Sequence, residues 1–347
     1  MKKNLRNILV LAMGLMTTVS FAQDWNVDSR TRIDMSGDGD EMSTDQRATV
    51  GATWGGSDWG IHVSSDVNYT MEDWSQGALA ARVYEAYAST DLMGYASVTA
   101  GRQALDYGSG AIMSSNQWGA TRTTWDGFNF GLDLDMADIS LGYANTSGEF
   151  ADSSSLRQMW LNAAKGDGDW KANLLYWSVT PDGGDAFTAM GLDLSYAMMG
   201  GDLNLDVSYN TASGPDMEDM DMTSLGATYN VNESMSITGN QTQYGENGFD
   251  VGSAGMQGYA ASGSLGYLGA DDKDMNFGIT YAMGDFNLGA TMHQITNEVS
   301  LADDRDVTEI ALGYTMSDNA NLSLSMVTDN DGTTETNWMW VTLNIRP

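Results

Sequence analysis

The sequence predicts an all-β fold, a transmembrane antiparallel β-barrel of 18 strands, from three observations. Apolar and polar residues alternate with period two in runs of about ten residues, the length of a tilted strand that crosses a bilayer. Short turns and long polar loops alternate along the chain, as they do in barrels whose periplasmic turns are short and whose extracellular loops are long. The 40 glycines are scattered through the chain and its periodic runs, where each would cost a helix about 1 kcal/mol, and the three prolines lie outside the predicted strands.

The first 22 residues resemble a secretory signal peptide. Lys2, Lys3 and Arg6 precede the apolar run of residues 8–16, and residues 19–22 form a cleavage site of small residues. The apolar run is too short for a membrane helix, although an N-terminal anchor is the alternative. We therefore predict a signal peptide at residues 1–22 and one outer-membrane barrel domain at residues 23–347.

The charge of the chain excludes some partners. The sequence has 15 basic and 47 acidic residues, and removal of residues 1–22 leaves 12 basic residues and a net charge of −35. Nucleic acid is excluded because its binding needs cationic contacts to phosphate, whereas cations are attracted. The absence of cysteine excludes disulfides, thiolate metal sites and an N-terminal lipid on cysteine.

The strands follow one another with nine long loops and eight short turns between them. We expect strands that begin at residues 24, 46, 58, 81, 94, 124, 138, 156, 169, 188, 202, 222, 234, 273, 286, 306, 320 and 336. The main long loops are predicted at 35–45, 71–80, 104–123, 212–221, 246–272 and 297–305. Segment 256–267 could be another strand, but alone it would give an odd number of strands, so we assign it to a loop. A barrel of 16 strands is the alternative.

Side-chain parity predicts which residues line the lumen. The polar positions of the strands include Asp28, Arg30, Arg32, His62, Asp66 and Asp206, and His293 has the same parity. Aromatic residues near the ends of the runs suit the girdles of a membrane barrel, namely Trp25, Trp54, Trp59, Tyr69, Tyr143, Trp170, Tyr209, Tyr229 and Trp338. A soluble β-sandwich also alternates, but it would be large at this length and would not sort its connections by length.

The sequence holds little sign of catalysis or of cofactors. It has two histidines, neither in a nucleophile motif, so we predict no enzyme, although a pair of aspartates could still act as acid and base. One acidic loop has the spacing of half a calcium loop, with candidate ligands Asp34, Ser36, Asp38, Asp40 and Asp45. Without flanking helices, a solvated acidic loop is the favoured alternative. Divalent cations could also bridge the acidic loops to each other or to anionic surface glycolipid.

One irregular stretch, residues 101–127, resembles a known family. Gly101-Arg102-Gln103-x-Leu105-x-Tyr107-Gly108-x-Gly110, followed by Trp118, Arg122 and Trp125-Asp126-Gly127, is similar to the signature of the alginate-export-like outer-membrane porins. The resemblance implies an 18-stranded barrel that passes solutes without chemistry. The family has a basic residue where this chain has Ala111-Ile112, and its polyanion exporters have a lumen rich in basic residues. The resemblance therefore does not imply alginate as the substrate.

The same stretch supplies the candidate constriction. We expect residues 104–121 to fold into the barrel and to narrow it with Arg102, Asp106, Tyr107, Trp118, Arg122 and Asp126. The alternative is that both arginines pair with Asp106 and Asp126 and hold the loop in place.

The predicted function is a porin of the bacterial outer membrane. It would let small hydrophilic solutes diffuse through a barrel in the lipid bilayer, with a preference for cations because of its acidic charge. One alternative is a non-conducting barrel whose acidic loops serve adhesion or partner binding. Another is a substrate-selective channel for sugars or peptides. A homo-oligomer is left open.

Overall fold

The fold is a barrel of 18 antiparallel strands, described by a computed structural model. The model describes residues 23–36, 42–71, 80–117, 119, 121–146, 156–215, 217–251, 266–297, 299 and 304–346. Its strands are β1 Gln23–Asp34, β2 Ser43–Gly55, β3 Trp59–Thr70, β4 Ala80–Asp91, β5 Ser97–Gln103, β6 Trp125–Leu134, β7 Ala137–Thr146, β8 Leu156–Asp167, β9 Trp170–Pro181, β10 Phe187–Met198, β11 Leu203–Ser213, β12 Met220–Asn232, β13 Met235–Tyr244, β14 Asp272–Met283, β15 Phe286–Asn297, β16 Arg305–Ser317, β17 Ala320–Asn330 and β18 Glu335–Ile345. A 3₁₀ turn lies at Met199–Gly201. The described residues contain no helix with the length and hydropathy to cross a membrane.

The sheet closes because β1 pairs with both β2 and β18. Ser29 lies opposite Ile345, and the other strands pair in sequence order around the ring. Closure leaves no open sheet edge, which a bilayer would not tolerate. The prediction of 18 strands is confirmed, and the alternative of 16 is wrong.

The observed strands begin within three residues of the predicted positions. The largest differences are at β2 and β5. β2 begins earlier, at Ser43, because its first residues pair with the last residues of β1, where Asp34 lies opposite Ser43. β5 begins later, at Ser97, because residues 92–96 form the turn, with Gly94 at a positive φ of 75°. The predicted signal peptide and most of segment 256–267 lie outside the described residues.

The outer face of the barrel is apolar, as the parity predicted. On β11, Leu205 and Val207 are 36% and 39% exposed, whereas the inward Asn210 is buried. Most of the predicted girdle aromatics also lie on this face, for example Trp25 and Trp170. Trp338 is an exception, because it packs against an inner apolar cluster of Ile295, Val307, Val327 and Trp340.

The inner face differs from a uniformly polar lumen. Toward the long-loop end, inward side chains of β6–β13 form an apolar cluster that includes Trp125, Trp160, Leu175, Trp177 and Met222. The connecting loops supply the other side of this cluster, with Leu105, Ala111, Ile112, Met113, Phe249 and Val251. Loop side chains therefore cover part of the inner wall and remove its apolar surface from water.

Candidate functional site

One part of the β5–β6 connection, of which residues 104–117, 119 and 121–124 are described, lies against the inner face of β1 and β2. Arg30 of β1 donates hydrogen bonds to the carbonyl oxygens of Gln117 (3.0 Å) and Gly119 (3.3 Å). Arg47 of β2 donates to the same two carbonyls, at 3.0 Å each. Both arginines are buried on the inward face, so the loop backbone lies inside the wall.

Arg122 fixes the same end of the loop through a buried ion pair. Its Nε lies 3.0 Å from Asp66 Oδ2, and its Nη2 contacts Asp66 Oδ1 and Thr49 Oγ1. The two charged side chains are 5% and 6% exposed, and the guanidinium lies over the Tyr84 ring. The partner of Arg122 is thus Asp66, and neither Asp106 nor Asp126. Asp106 instead accepts hydrogen bonds from the backbone N and Oγ of Ser115, both at 2.7 Å.

The other end of the loop contacts β10, which lies across the ring from β1. The backbone N of Ser109 donates to Asp193 Oδ2 at 3.0 Å, and Ser208 Oγ donates to Asp193 Oδ1 at 2.6 Å. Gly108 has a φ of 57°, and a Cβ there would overlap the Asp193 carboxylate. The loop therefore spans the lumen from an arginine-bearing side to an aspartate-bearing side.

Apolar side chains attach this far end to the wall. Ala111, Ile112 and Met113 are almost fully buried, and Tyr267 donates a hydrogen bond to the Ala111 carbonyl at 2.6 Å. In the sequence, Ala111-Ile112 stand out only as a departure from the pattern of the alginate-export-like porins. A short apolar run inside a polar loop was the signal for this anchor.

Tyr107 lies between the loop and the inner wall. Its hydroxyl donates to Asn129 Oδ1 at 3.4 Å, and Trp160 Nε1 donates to the same oxygen at 3.2 Å. Burial raises the pKa of Tyr107, so the phenol stays neutral and acts as a hydrogen-bond donor. Trp118, also predicted for the constriction, lies outside the described residues.

The structure corrects the prediction that Arg102 and Asp126 line the constriction. Their side chains form a two-pronged ion pair, with Nε–Oδ1 at 2.7 Å and Nη2–Oδ2 at 2.6 Å, and are 41% and 43% exposed. In the next pair on that face, Ala100 lies opposite Phe128, which is an exposed residue of the outer belt. Because strand parity is fixed, Arg102 and Asp126 lie on the outer face.

The six predicted lumen residues lie on inward positions of their strands. Arg30, Arg32, His62 and Asp66 are buried there, and Asp206 accepts a hydrogen bond from Ser195 at 2.6 Å. Asp28 has the same parity on β1. Sequence analysis missed Arg47 and Asp193, although each occupies the polar position of an alternating run.

The predicted calcium loop is described only in part. Asp34 Oδ1 accepts hydrogen bonds from the backbone N of Ser36, at 2.9 Å, and from its hydroxyl. Asp45 lies on β2 and accepts from Thr70 at 3.0 Å, whereas Asp38 and Asp40 lie outside the described residues. Among the described residues, no group of three or more His, Asp or Glu side chains is arranged to hold a metal ion. Calcium binding stays a prediction.

Comparison with solved structures identifies the fold of the chain. No family model and no curated protein matches the sequence. OpdK of Pseudomonas aeruginosa superposes with a TM-score of 0.73 at 11% identity, over 94% of this chain and 100% of that one. OccAB2 of Acinetobacter baumannii gives 0.71 at 11% identity, over 95% and 99%. OccK5 (OpdH) of P. aeruginosa gives 0.69 at 12%, over 94% and 98%.

The chain has the fold of an outer-membrane porin. Identity this low shows the fold alone, and neither a substrate nor the alginate-export-like family follows from it.

Proposed function

We propose that the protein is a passive channel of the bacterial outer membrane, which small hydrophilic solutes cross by diffusion and which performs no chemistry. The observation that carries this proposal is the charged lumen: Arg30 and Arg47 face inward on one side, and Asp193 and Asp206 face inward on the other. A barrel whose outer face suits lipid places charges inside when the interior holds water.

The loop at residues 104–124 would set the width and the polarity of the channel. Its backbone carbonyls at 117 and 119 accept hydrogen bonds from Arg30 and Arg47, so these arginines act first as anchors of the loop. Solutes would then pass beside the loop, between its polar surface and the uncovered part of the inner wall.

Cation preference is the finer part of this proposal. The mature chain carries a net charge of −35, and Arg122 in the lumen is neutralised by Asp66. Acidic loops and the inward aspartates would concentrate cations near the mouth, within a screening length of about 10 Å at 0.1 M salt. Reversal potentials in a salt gradient should therefore show cation preference that weakens as salt rises.

The solute class is open to test. The likeness to the alginate-export-like porins rests on residues 101–127, and a mature chain with 12 basic and 47 acidic residues does not suit a polyanion. OpdK, which shares the fold, was solved with vanillate. Liposome swelling with sugars, peptides and small carboxylates of matched size would separate general diffusion from substrate selection.

A non-conducting barrel is the second candidate, and the apolar cluster inside β6–β13 favours it. This cluster fills part of the lumen near the long-loop end. In that case the acidic loops would serve adhesion, partner binding or cation-bridged contact with surface glycolipid, as a monomer or a homo-oligomer. Planar-bilayer recording decides between the two functions: stepwise, ohmic currents support the channel, and a correctly folded barrel without currents supports the scaffold.

A further inference from the structure

His293 lies on the inner face of β15 between two carboxylates from neighbouring strands. Its Nδ1 is 2.8 Å from Asp274 Oδ2 on β14, and its Nε2 is 2.9 Å from Glu309 Oε1 on β16. The imidazole is hydrogen-bonded at Nδ1, whereas Nε2 lies within ion-pair distance of Glu309 but makes no aligned hydrogen bond within the described residues. Within the described residues, no contact joins these side chains to the loop at residues 104–124. The proposed role of that loop in the channel therefore does not account for them.

A third donor group lies beside the first carboxylate. Asn276 is two residues from Asp274 on the same strand and lies directly opposite His293 in the β14–β15 ladder. Its amide nitrogen is 3.0 Å from Asp274 Oδ2. The O and N of an amide are assigned from such contacts, so a rotated amide places Oδ1 at this position as a ligand.

The carboxylate of Asp274 is incompletely satisfied. Its side chain is only 8% exposed, and within the described residues its Oδ1 is buried and accepts no hydrogen bond. A buried anionic oxygen without a donor is costly, and a bound cation would compensate for it. The site thus has two oxygen donors and one imidazole nitrogen, together with an unmet demand for positive charge.

We propose that Asp274, Asn276 and His293 bind one divalent first-row transition-metal ion, such as Cu²⁺, Ni²⁺ or Zn²⁺. The ion would replace the proton between Asp274 and His293 Nδ1, and that proton would leave to solvent. Metal–ligand bonds of about 2.0–2.2 Å need the Nδ1 and Oδ2 atoms to stand about 3 Å apart, so their present separation has to open only slightly.

Glu309 is then the residue that orients the ligand. Metal-bound histidines usually donate their second ring N–H to a carboxylate, which fixes the tautomer and raises the basicity of the ligand. Because Glu309 lies on the opposite ring nitrogen from Asp274, it would act in this way and would not touch the ion.

The other histidine of the chain provides a matched control. His62 also faces the lumen, but its Nδ1 contacts the hydroxyl of Thr53 at 2.8 Å and its Nε2 is 3.7 Å from Glu85. It has no carboxylate at Nδ1. The chain has no cysteine and only these two histidines, so metal binding through an imidazole nitrogen can be assigned by comparing two single variants.

The test is calorimetric titration of the refolded, EDTA-washed mature barrel with Cu²⁺ in the presence of excess Ca²⁺. Imidazole ligands select Cu²⁺ over Ca²⁺, whereas acidic loops bind both through oxygen. We expect one site that Ca²⁺ does not displace. His293→Gln should weaken it by about tenfold or more, His62→Gln should leave it unchanged, and Glu309→Gln should weaken it about 10–100-fold.

Three results would overturn the assignment. They are displacement of Cu²⁺ by Ca²⁺, an affinity that His293→Gln leaves unchanged, and an equal loss in His62→Gln. If only Glu309→Gln leaves the affinity unchanged, the orienting role of Glu309 is wrong. The electron paramagnetic resonance spectrum of Cu²⁺ on the unmutated barrel is independent of variant folding: coupling to one imidazole nitrogen supports the site, and its absence rejects it.

Discussion

Two ion pairs with the same geometry lie in different surroundings. Arg122 and Arg102 each approach an aspartate with Nε and Nη2, but the Arg122–Asp66 pair is nearly inaccessible and the Arg102–Asp126 pair is about two-fifths exposed on the outer face. Removal of one partner from a buried pair leaves an uncompensated charge, whereas an exposed pair contributes little. Their contributions to stability should therefore differ.

Arg122→Gln should lower the free energy of unfolding by about 3–5 kcal/mol, because it leaves Asp66 buried without its cation. Arg102→Gln is the matched control and should cost less than Arg122→Gln, because its pair with Asp126 is about two-fifths exposed at the loop ends of β5 and β6. Urea unfolding of the refolded barrel in detergent measures both. Equal losses in the two variants would mean that Asp66 is solvated and that the loop is not held by this pair.

Side-chain parity on β11 is tested at single positions. Leu205→Arg places a charge on the lipid face and should destabilise the barrel by about 2–4 kcal/mol in a bilayer if the residue lies near mid-membrane. Asn204→Arg is the control, because it places the same charge in the lumen and should cost less.

Single cysteines introduced at residues 204–207 test the same side-chain orientation, because a water-soluble thiol reagent reaches the lumen-facing positions and not the lipid-facing ones. Labelling of all four positions alike would contradict the orientation.

The β5–β6 connection is the element that distinguishes this barrel from an empty cylinder. Its polar contacts with β1, β2 and β3 lie on one side, and Ser109 contacts Asp193 of β10 on the other. Apolar residues 111–113 pack against the inner wall on the same side as Ser109 and attach the loop there. The element is thus attached at both ends.

Deletion of residues 109–117 should raise single-channel conductance without unfolding the barrel. The deletion removes the Ser109 contact to Asp193 and the Gln117 carbonyl that Arg30 and Arg47 share, while the Gly119 carbonyl and the ladders of β5 and β6 stay in the chain. Ile112→Ser is a milder variant that detaches the apolar anchor alone and should give an intermediate rise. A folded deletion variant with unchanged conductance and unchanged solute size limit would show that the loop does not restrict the pore.

Sequence alone predicted the strands well because a membrane barrel imposes one rule on each of them. Side chains that face lipid must be apolar, and backbone N–H and C=O groups must be hydrogen-bonded to a neighbouring strand. The alternation of apolar residues and the lengths of the loops therefore locate the first residue of each strand to within three residues. Arg102 was assigned to the pore from its position at a strand–loop junction, whereas its strand parity places it on the outer face, paired with Asp126. The inner apolar cluster was not predicted, because inward residues such as Trp160 are covered by loops far away in sequence.

Across the whole molecule, the inward arginines lie on one side of the barrel, with Asp28 and Asp66 among them, and a pair of inward aspartates lies on the opposite side. β1 and β2 carry Arg30 and Arg47, and β10 and β11 carry Asp193 and Asp206. The net charge of the chain sets the overall sign of the field, while these two sets decide which ions pass most easily beside the loop. Ion selectivity therefore depends on both the loops and the lumen.

Removing the charges of the arginine side and removing those of the aspartate side should shift the ion selectivity of the channel in opposite directions. Arg30→Gln with Arg47→Gln should increase cation preference, since it removes two cations from the lumen. Asp193→Asn with Asp206→Asn should decrease it, and the asparagine at 193 can still accept the hydrogen bond from the loop. Reversal potentials at low salt measure both shifts, because screening within about 10 Å at 0.1 M hides them at higher salt. If neither double variant moves the reversal potential, selectivity is set by the acidic loops outside the barrel; an anion-selective parent protein would instead mean that the arginine side controls the pore.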